Sequence, residues 1–410
     1  MTTQYLTTSW WRQLLRPGPH FWAAFKVFLP LRIGFSLWAI IILAQYPAEM
    51  PASYLAVYAG DVSPGDNIVV EYLLEPWLRW DAHWYTGIAA AGYDGIPGAT
   101  AFPPLYPLLI RWLGQLLGGQ FLLAALLISN GAALAAFMLL HRLVTQDHGR
   151  YLANRTLVYL ALFPAGFVFL LPYTESLFFM LVLGSLLVAR QEKWAWAAVL
   201  GALATVTRWQ GAVLVLPLGW LYLEARRVGR PWRQWPDWTW REWTHWLPSL
   251  WLGLIPAVLL GVFLWMDQMY GADSLPLAQY SSDWGAVWVW PWQTLVRVPL
   301  AWMGQSSPDV GTVCNWLVTV FFFALLLAAW RRVRFAYVLY GWVIFLPAAM
   351  RLNHTAQVGT MRYALVVFPA FIVVAYMGRR IKWLHNLWII GGFVLALLFS
   401  FAYLQWFFII

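Results

Sequence analysis

The sequence is poor in cysteine and in charged residues, and both shortages exclude classes of protein. It has 410 residues but one cysteine, Cys314, which excludes an intrachain disulfide and a metal site built from cysteines. Charged residues make up 10% of the chain and hydrophobic residues 62%, whereas soluble domains carry about 25% charged residues. Because apolar runs of about 17 or more residues recur along the chain, we predict an all-α polytopic membrane protein.

Motifs of several common chemistries are also missing. The sequence has no Gly-rich phosphate loop, no Asp-x-Asp pair and no histidine cluster with metal-ligand spacing. We therefore expect neither a cofactor nor a metal, since the pair Asp81 and His83 could bind one only with ligands from elsewhere. Residues 2–19 are polar and rich in tryptophan without a hydrophobic core, so we expect no cleavable signal peptide.

The apolar runs predict about eleven membrane spans. Segment 104–117 is not one of them, because about 14 residues of helix reach only ~21 Å, short of the ~30 Å hydrocarbon core. We expect it to lie along the membrane surface, and we expect interfacial helices at 1–20 and 226–246. The predicted spans are 27–44, 120–142, 151–171, 174–190, 193–209, 211–225, 247–269, 311–330, 334–350, 361–377 and 386–408.

The formal charge of +9 would suggest nucleic acid in a soluble protein. Here most of the 26 basic residues fall in alternate connections, which marks those connections as cytoplasmic and excludes a nucleic-acid patch. The acidic region 46–103 then lies outside. The basic residues that do not follow the rule are Arg32, Arg79, Arg111, Arg208, Arg297, Arg351 and Arg362. Cations near an acidic outer face suggest a phosphate to be neutralised.

The segment 76–93 is predicted to be an amphipathic helix that begins at Pro76 and stops at Gly92. Its apolar stripe would consist of Trp77, Trp80, Trp84 and Ile88, with Asp81 at the edge. A carboxylate against tryptophans is partly desolvated, which makes it a better base. The alternative is an interfacial helix whose aspartate is hydrated.

Two charged residues lie at predicted outside ends of spans. Glu175, in the run 172–178, could face Asp81 across a cavity, but it could also simply complement the dipole of a helix capped by Thr174. Arg208 could bind a lipid phosphate, although a cation before Gly211 at the end of a helix is also ordinary capping.

Arg362 is the stronger anion-binding candidate. It begins a predicted span, where a cation opposes the helix dipole, so capping does not account for it. Arg351 and His354 lie nearby in sequence and extend the predicted anion site.

Together these motifs resemble the PIG-V type of mannosyltransferase, which adds the second mannose during glycosylphosphatidylinositol assembly, and its bacterial relatives. The similarity covers roughly residues 75–215 in the family's order, and its most specific part is Pro-Tyr-Thr-Glu-Ser-Leu-Phe at 172–178. The other matching stretches are 80–93, 102–107, 129–130 and 207–211. The last stretch reads Arg-Trp-Gln-Gly, where eukaryotic members usually have Arg-Ser-Asn-Gly, so the acceptor stays open.

The resemblance implies a GT-C glycosyltransferase fold and a single integral membrane domain over 1–410. Within it we expect a first extracytoplasmic loop at 46–118, with surface helices and the catalytic aspartate, a helical module at 119–225 and a C-terminal transmembrane region at 226–410. GT-C enzymes take sugar from a polyprenyl-phosphate donor on the extracytoplasmic side. The compact loops suit a bacterial inner membrane, with the site facing the periplasm, or the endoplasmic reticulum lumen if the source is eukaryotic.

The implied reaction transfers a hexose, with mannose suggested by the resemblance, to a glycolipid or lipid-linked acceptor. Asp81, at the position where the family has its base, would deprotonate the acceptor hydroxyl, with inversion at the anomeric carbon. The expected substrate-binding residues are His83, Tyr85, Tyr173, Glu175 and Arg208, and the expected donor phosphate ligands are Arg362, Arg351 and His354. Two rivals remain, a transporter of lipid-linked sugar and a non-catalytic membrane subunit.

Overall fold

The computed structural model of the chain consists of α-helices with one small two-stranded sheet. It describes residues 18–48, 73–94, 96, 98–226, 247–271, 275, 276, 278, 285–304, 309–353 and 356–407. Residues 49–72 of the acidic region and most of the two predicted interfacial helices therefore lie outside the described residues.

The helices follow one another along the chain with short connections in most of the described part. The α-helices are α1 (Pro19–Gln45), α2 (Asp81–Ala91), α3 (Leu105–Leu116), α4 (Phe121–Ala161), α5 (Glu175–Ala189), α6 (Trp194–Thr205), α7 (Val215–Arg226), α8 (Leu254–Tyr270), α9 (Pro291–Met303), α10 (Val310–Ala329), α11 (Phe335–Met350), α12 (Thr360–Leu365), α13 (Phe368–Arg380) and α14 (Lys382–Leu404). The strands are β1 (Ala286–Trp288) and β2 (Arg351–Asn353).

Five helical segments in the described part are long and apolar enough to cross a membrane. They are Pro19–Gln45, Phe121–Ala161, Leu247–Tyr270, Val310–Ala329 and Lys382–Leu404. The chain is therefore an all-α membrane protein, and the general fold class predicted from the apolar runs is confirmed.

The predicted spans 120–142 and 151–171 form one helical segment, α4, which is broken at Gly149. Gly149 has φ 79°, a backbone conformation that glycine adopts without a Cβ clash. The second half ends at Ala161, earlier than predicted, because Pro164 follows and cannot continue a helical hydrogen-bond ladder. A 3-10 helix at Gly166–Leu170 then leads into the motif at 172–178.

The predicted span 361–377 is also divided. It consists of the short helix α12 and the longer helix α13, separated by a break around Val366 and Val367. Pro369 is the second residue of α13, where its missing N–H costs no helical bond. The sequence suggested one continuous span because proline does not interrupt the apolar pattern.

The predicted surface helix 104–117 occurs as α3, which is about 18 Å long at 1.5 Å per residue. Its buried face, with Tyr106 and Ile110, packs on α4. Leu108, Trp112 and Leu116 form the opposite stripe and are 58, 64 and 66% exposed. A helix too short to span, with an exposed apolar stripe, is typical of the membrane interface.

Helix direction separates two ends of the bundle. We call the end with Asp81, Glu175, Arg208 and Arg362 the site end. Helix α5 runs from Glu175 there to the opposite end, where Arg190 binds Asp147 at 2.9 Å and Arg334 binds Glu224 at 2.9 Å. We call that opposite end the basic end, because Arg331, Arg332, Arg379 and Arg380 also follow the helices that finish there.

The segment 270–310, predicted to be a loop, contains β1 and α9 in its described part. Strand β1 pairs antiparallel with β2, and Trp288 lies opposite Arg351 in the register. The side chain of Thr294 on α9 donates to the carbonyl of Ala349 at 2.7 Å. These contacts fix the strand that carries Arg351 at the site end.

Candidate active site at the site end

The helix that carries Asp81 begins later than the sequence pattern predicted. Residues Glu75–Trp77 form a separate 3-10 turn, and α2 begins at Asp81 after a sharp turn at Trp80, whose φ is 54°. The single tryptophan stripe is therefore wrong. Trp77 lies instead under the guanidinium of Arg32, 4.4 Å from the ring centroid. Gly92 ends the helix as predicted.

This start has an electrostatic consequence for Asp81. The carboxylate lies in the first turn of α2, where the positive end of the helix dipole stabilises its ionised form. A non-glycine residue at positive φ is a strained conformation that surrounding structure must maintain. The turn at Trp80 places the Asp81 side chain beside Arg362.

Four charged side chains join into one group, which we call the ion cluster: Asp81, Glu175, Arg208 and Arg362. Arg362 Nη1 lies 2.7 Å from Asp81 Oδ2, and its Nη2 lies 2.8 Å from Glu175 Oε1. Its Nε donates to the same Glu175 oxygen at 2.8 Å. Arg208 Nη1 lies 2.7 Å from Glu175 Oε1. The guanidinium of Arg362 therefore lies between Glu175 and Asp81 and binds both carboxylates.

Glu175 anchors the cluster from within the bundle. Its side chain is 1% exposed, and burying a carboxylate is costly unless cations and hydrogen bonds compensate. The two arginines supply that compensation. Glu175 also lies in the first turn of α5, so the dipole contribution expected from the sequence is present alongside the ion pairs.

Thr174 does not cap α5 with its side chain. Its hydroxyl accepts a hydrogen bond from Arg208 Nη1 at 3.1 Å and lies 3.2 Å from the hydroxyl of Tyr85. Burial raises the pKa of Tyr85 well above its ordinary value, so this hydroxyl stays protonated. The contact joins α2 to the start of α5 beside the ion cluster.

Arg208 follows α6 in extended backbone conformation and begins a 3-10 helix at Trp209–Leu214. Its guanidinium reaches Glu175 and Thr174, so the helix-capping alternative does not describe it. A Cβ on Gly211 would overlap the backbone of Ala204 and Thr205, which explains why this tight turn needs glycine.

The segment that carries Arg362 is positioned by contacts with α10 that the sequence did not predict. Asn315 on α10 accepts a hydrogen bond from the backbone N–H of Met361 at 2.9 Å, and Gln357 donates to Thr319 at 2.6 Å. Tyr173 lies under the Arg362 guanidinium at 4.6 Å and donates to the carbonyl of Arg79 at 3.1 Å. A polar residue in an apolar run was the available signal for Asn315 and Thr319.

The stretches that carry the family resemblance meet behind the cluster. Ser129 donates to the carbonyl of Tyr173 at 2.9 Å and is hydrogen-bonded to the hydroxyl of Tyr106. Asn130 donates to the carbonyl of Leu170 at 3.2 Å, which supports its interpretation as a link between elements. The motifs of 102–107, 129–130 and 172–178 therefore support one another structurally.

A cavity of about 120 Å³ opens beside the ion cluster. Arg351 lies on its wall with the guanidinium 5.7 Å from the ring centroid of Tyr363, and Arg208 lies 4.9 Å from the same ring. Such a volume suits one compact polar group, because pockets for whole drug-sized ligands are about 300–1,000 Å³. The lining residues are Asp81, Tyr85, Ala101, Phe102, Pro103, Thr174, Arg208, Trp209, Gln210, Arg351, Asn353, Val358, Gly359, Arg362 and Tyr363.

Three of the described site residues, Glu175, His83 and Tyr173, do not line this cavity. His83 is buried and stacks on Trp406 at 5.8 Å between ring centroids; burial and the nearby Arg79 cation lower its pKa to about 4, so it is neutral at pH 7. Tyr173 is buried beneath Arg362. His354 lies outside the described residues.

The described part of the chain contains no evident metal-binding site. No group of at least three histidine, cysteine, aspartate or glutamate side chains comes together there. In particular, His83 stacks on Trp406, whereas Asp81 binds Arg362.

Comparison with known proteins gives no family assignment. No family model, curated protein or solved structure matches this chain.

Proposed function

We propose that the chain is a membrane glycosyltransferase that uses a polyprenyl-phosphate hexose as donor. Among the hexoses, mannose is the one we propose first, so the enzyme would be a mannosyltransferase. The observation that carries the proposal is the ion cluster on the cavity wall: a carboxylate beside Arg362, with Arg208 and Arg351 at the same opening. A base next to phosphate-binding cations is what sugar transfer from a lipid phosphate requires. The PIG-V and GT-C resemblance supports the same reaction class.

The charges around the cavity suit a phosphodiester. Three arginines, Arg208, Arg351 and Arg362, line the cavity together with Asp81. A sugar phosphodiester carries one negative charge and presents oxygens that guanidinium groups bind well. Glu175 is buried behind the arginines, so it does not compete at the opening.

Donor binding would change the state of Asp81. In the resting protein its carboxylate is paired with Arg362, so Oδ2 is occupied by a guanidinium N–H and cannot receive an acceptor hydroxyl. A donor phosphate that binds Arg362 would replace Asp81 as the partner of Nη1. Asp81 would then accept the proton of an acceptor hydroxyl only after the donor has bound.

In the transfer step, Asp81 takes the acceptor proton while the acceptor oxygen attacks the anomeric carbon. The bond from that carbon to the phosphate oxygen breaks on the opposite face, and the configuration inverts. The polyprenyl phosphate leaves with a second negative charge, which Arg362 and Arg351 stabilise. Glu175 and Arg208 keep Arg362 in place throughout, and Tyr85 supports Arg208 through Thr174.

We further propose a GT-C type arrangement of about eleven spans, with the site end outside and the basic end in the cytoplasm. A bacterial inner membrane, with the site facing the periplasm, suits this orientation. The acceptor would be a glycolipid or another lipid-linked molecule.

The transporter alternative requires polar groups along a path through the membrane. Arg32 lies midway along α1, and a cation at that place favours this alternative. However, its guanidinium donates to the carbonyl of Leu170 at 3.2 Å and lies over Trp77. Leu170 precedes the 172–178 motif in the chain, and Trp77 precedes Asp81. Arg32 therefore extends along apolar surface toward the site end.

The test is transfer by the purified, full-length protein from defined polyprenyl-phosphate sugars to a panel of glycolipid acceptors. The proposal predicts a sugar-lipid product with mannose as the preferred hexose. The control variant is Asp94→Asn. It removes an exposed acidic residue from the same predicted loop as Asp81 and should keep the parent rate. The proposal would be contradicted if the protein moved the donor across vesicle membranes but formed no transfer product with any acceptor in the panel. That result would favour the transporter.

A further inference from the structure

A cavity of about 490 Å³ lies at the basic end, far along the helices from the ion cluster. Its wall contains the exposed side chains of Arg331 and Arg332, which follow α10, and of Arg380, which ends α13. Among the described residues, no acidic side chain pairs with any of these three arginines. The remaining lining residues are Tyr376, Met377 and Ile381.

The start of α14 adds to the positive potential at this place. Ile381 is its N-cap residue and provides no side-chain hydrogen bond, and the first turn contains no acidic residue. The first N–H groups of a helix and its dipole favour an anion. The cavity therefore combines three guanidinium groups with an uncapped helix start, which suits a phosphate better than a neutral headgroup.

An apolar groove of about 250 Å³ lies along α14, the helix whose N-cap residue, Ile381, lines the basic cavity. Leu384 and Leu387 line its near part, and Leu395 lines its far part. From Ile381 to Leu395 the helix rises by about 21 Å, which covers the ~15 Å of hydrocarbon in one leaflet. The opposite wall includes Phe321 of α10, the helix that leads to Arg331. Helices α10 and α14 therefore both extend from the groove toward the basic cavity.

The groove remains open because of a glycine. A Cβ on Gly391 would meet only Leu387 Cδ1, at 3.7 Å, so the space beside it is empty. Gly392 differs, because a Cβ there would overlap the carbonyl of Leu162 and it serves close helix packing. Leu387 is 58% exposed, so the groove is accessible from the side of the bundle.

We infer that these two cavities form one binding site for an anionic glycerophospholipid. Its phosphate would lie among Arg331, Arg332 and Arg380, and one acyl chain would lie along α14 past Gly391. A free phosphate would use only the basic cavity, and a neutral phospholipid only the groove. The chemistry of both parts together selects a lipid with a negative headgroup. This site is separate from the proposed sugar-transfer site.

The experiment measures lipid retention by the purified full-length protein in nanodiscs of phosphatidylcholine with phosphatidylglycerol, by native mass spectrometry. The parent should retain phosphatidylglycerol in preference to phosphatidylcholine. The double variant Arg331→Gln and Arg332→Gln should weaken retention roughly fivefold for each arginine removed. Its matched control is Arg150→Gln, an exposed basic residue outside the cavity that should change nothing.

The acyl-chain part is tested independently by Gly391→Leu, which should fill the groove and reduce retention with the arginines intact. Its control is Gly261→Leu, on an exposed face of α8 where no atom lies within 4 Å of the added Cβ. Thermal unfolding shows whether each variant is folded. Equal retention of both lipids, or displacement of phosphatidylglycerol by inorganic phosphate with no effect of Gly391→Leu, would overturn the inference.

Discussion

Asp81 and Arg362 form a direct ion pair, with 2.7 Å between Oδ2 and Nη1. The base proposed for catalysis and the cation proposed for the leaving phosphate therefore neutralise each other in the resting site. Because Arg362 also binds Glu175, its guanidinium stays in place when Asp81 is released. This arrangement would couple activation of the base to arrival of the donor.

Arg362→Ala is expected to weaken donor binding. Removing a well-buried cation from a phosphate costs about 2–5 kcal/mol, and most of the loss should appear in donor affinity. Donor titration of the purified variant measures it. Arg297→Ala, an exposed arginine on α9 away from the cavity, is the control. Unchanged donor affinity together with unchanged turnover would remove Arg362 from the site.

Glu175→Gln is expected to destabilise the protein. The substitution leaves Arg208 and Arg362 without their shared buried carboxylate, and breaking such a group costs about 3–5 kcal/mol. Glu224→Gln breaks a more exposed pair with Arg334 and should cost less than about 1 kcal/mol. Thermal unfolding in one detergent compares the two variants. Equal stability losses would show that the ion cluster is not buried as described.

The sequence was sufficient to nominate every member of the ion cluster. Asp81 was selected from its place beside the predicted tryptophan stripe, and Glu175 and Arg208 from their positions at outside ends of predicted spans. Arg362 was selected because a cation at the start of a helix opposes the dipole. Their pairing was not predictable, because periodicity gives the face of a helix but not the distant segment that packs on it. Asp81 was expected to lie against tryptophans, and its direct contact with Arg362 was not predicted.

Helix boundaries show the same limit. The apolar pattern continues through the break before Pro369, so the sequence suggested one span where backbone geometry divides it. At 143–150 the sequence predicted a connection between two spans, whereas the helix continues to the break at Gly149. Conversely, Trp77 matched helical spacing but lies in a separate turn. The contact from Asn315 to Met361 was also invisible, since an isolated amide in an apolar run does not reveal its partner.

Stability should depend on pH through His83. Its pKa falls from about 6.5 in the unfolded chain to about 4 in the fold, so the unfolded state binds more protons below pH 6.5. Stability is then highest above pH 6.5 and decreases as the pH falls toward 4, by up to about 3 kcal/mol. His83→Gln should reduce that decrease relative to the parent, which thermal unfolding between pH 7.5 and 4.5 would show. Identical pH profiles would contradict a buried neutral His83.

The orientation of the bundle is tested near the C-terminal end of α3. Residues 46–118 are predicted to lie wholly outside, with α3 on the surface. A single cysteine in place of Gly118, in a Cys314→Ser background, should react with an impermeant thiol reagent added to intact cells. Reaction only from the cytoplasmic side would overturn the proposed topology and place the site end inside.

The central claim is that Asp81 is the base and is released from Arg362 by the donor phosphate. The most direct measurement is single-turnover sugar transfer by Asp81→Asn with donor binding measured in parallel. We predict that transfer falls about 10²–10⁴-fold, while donor affinity stays equal to the parent's or rises because the phosphate no longer competes with a carboxylate for Arg362. A variant that binds donor and still transfers sugar at near the parent rate would contradict the account.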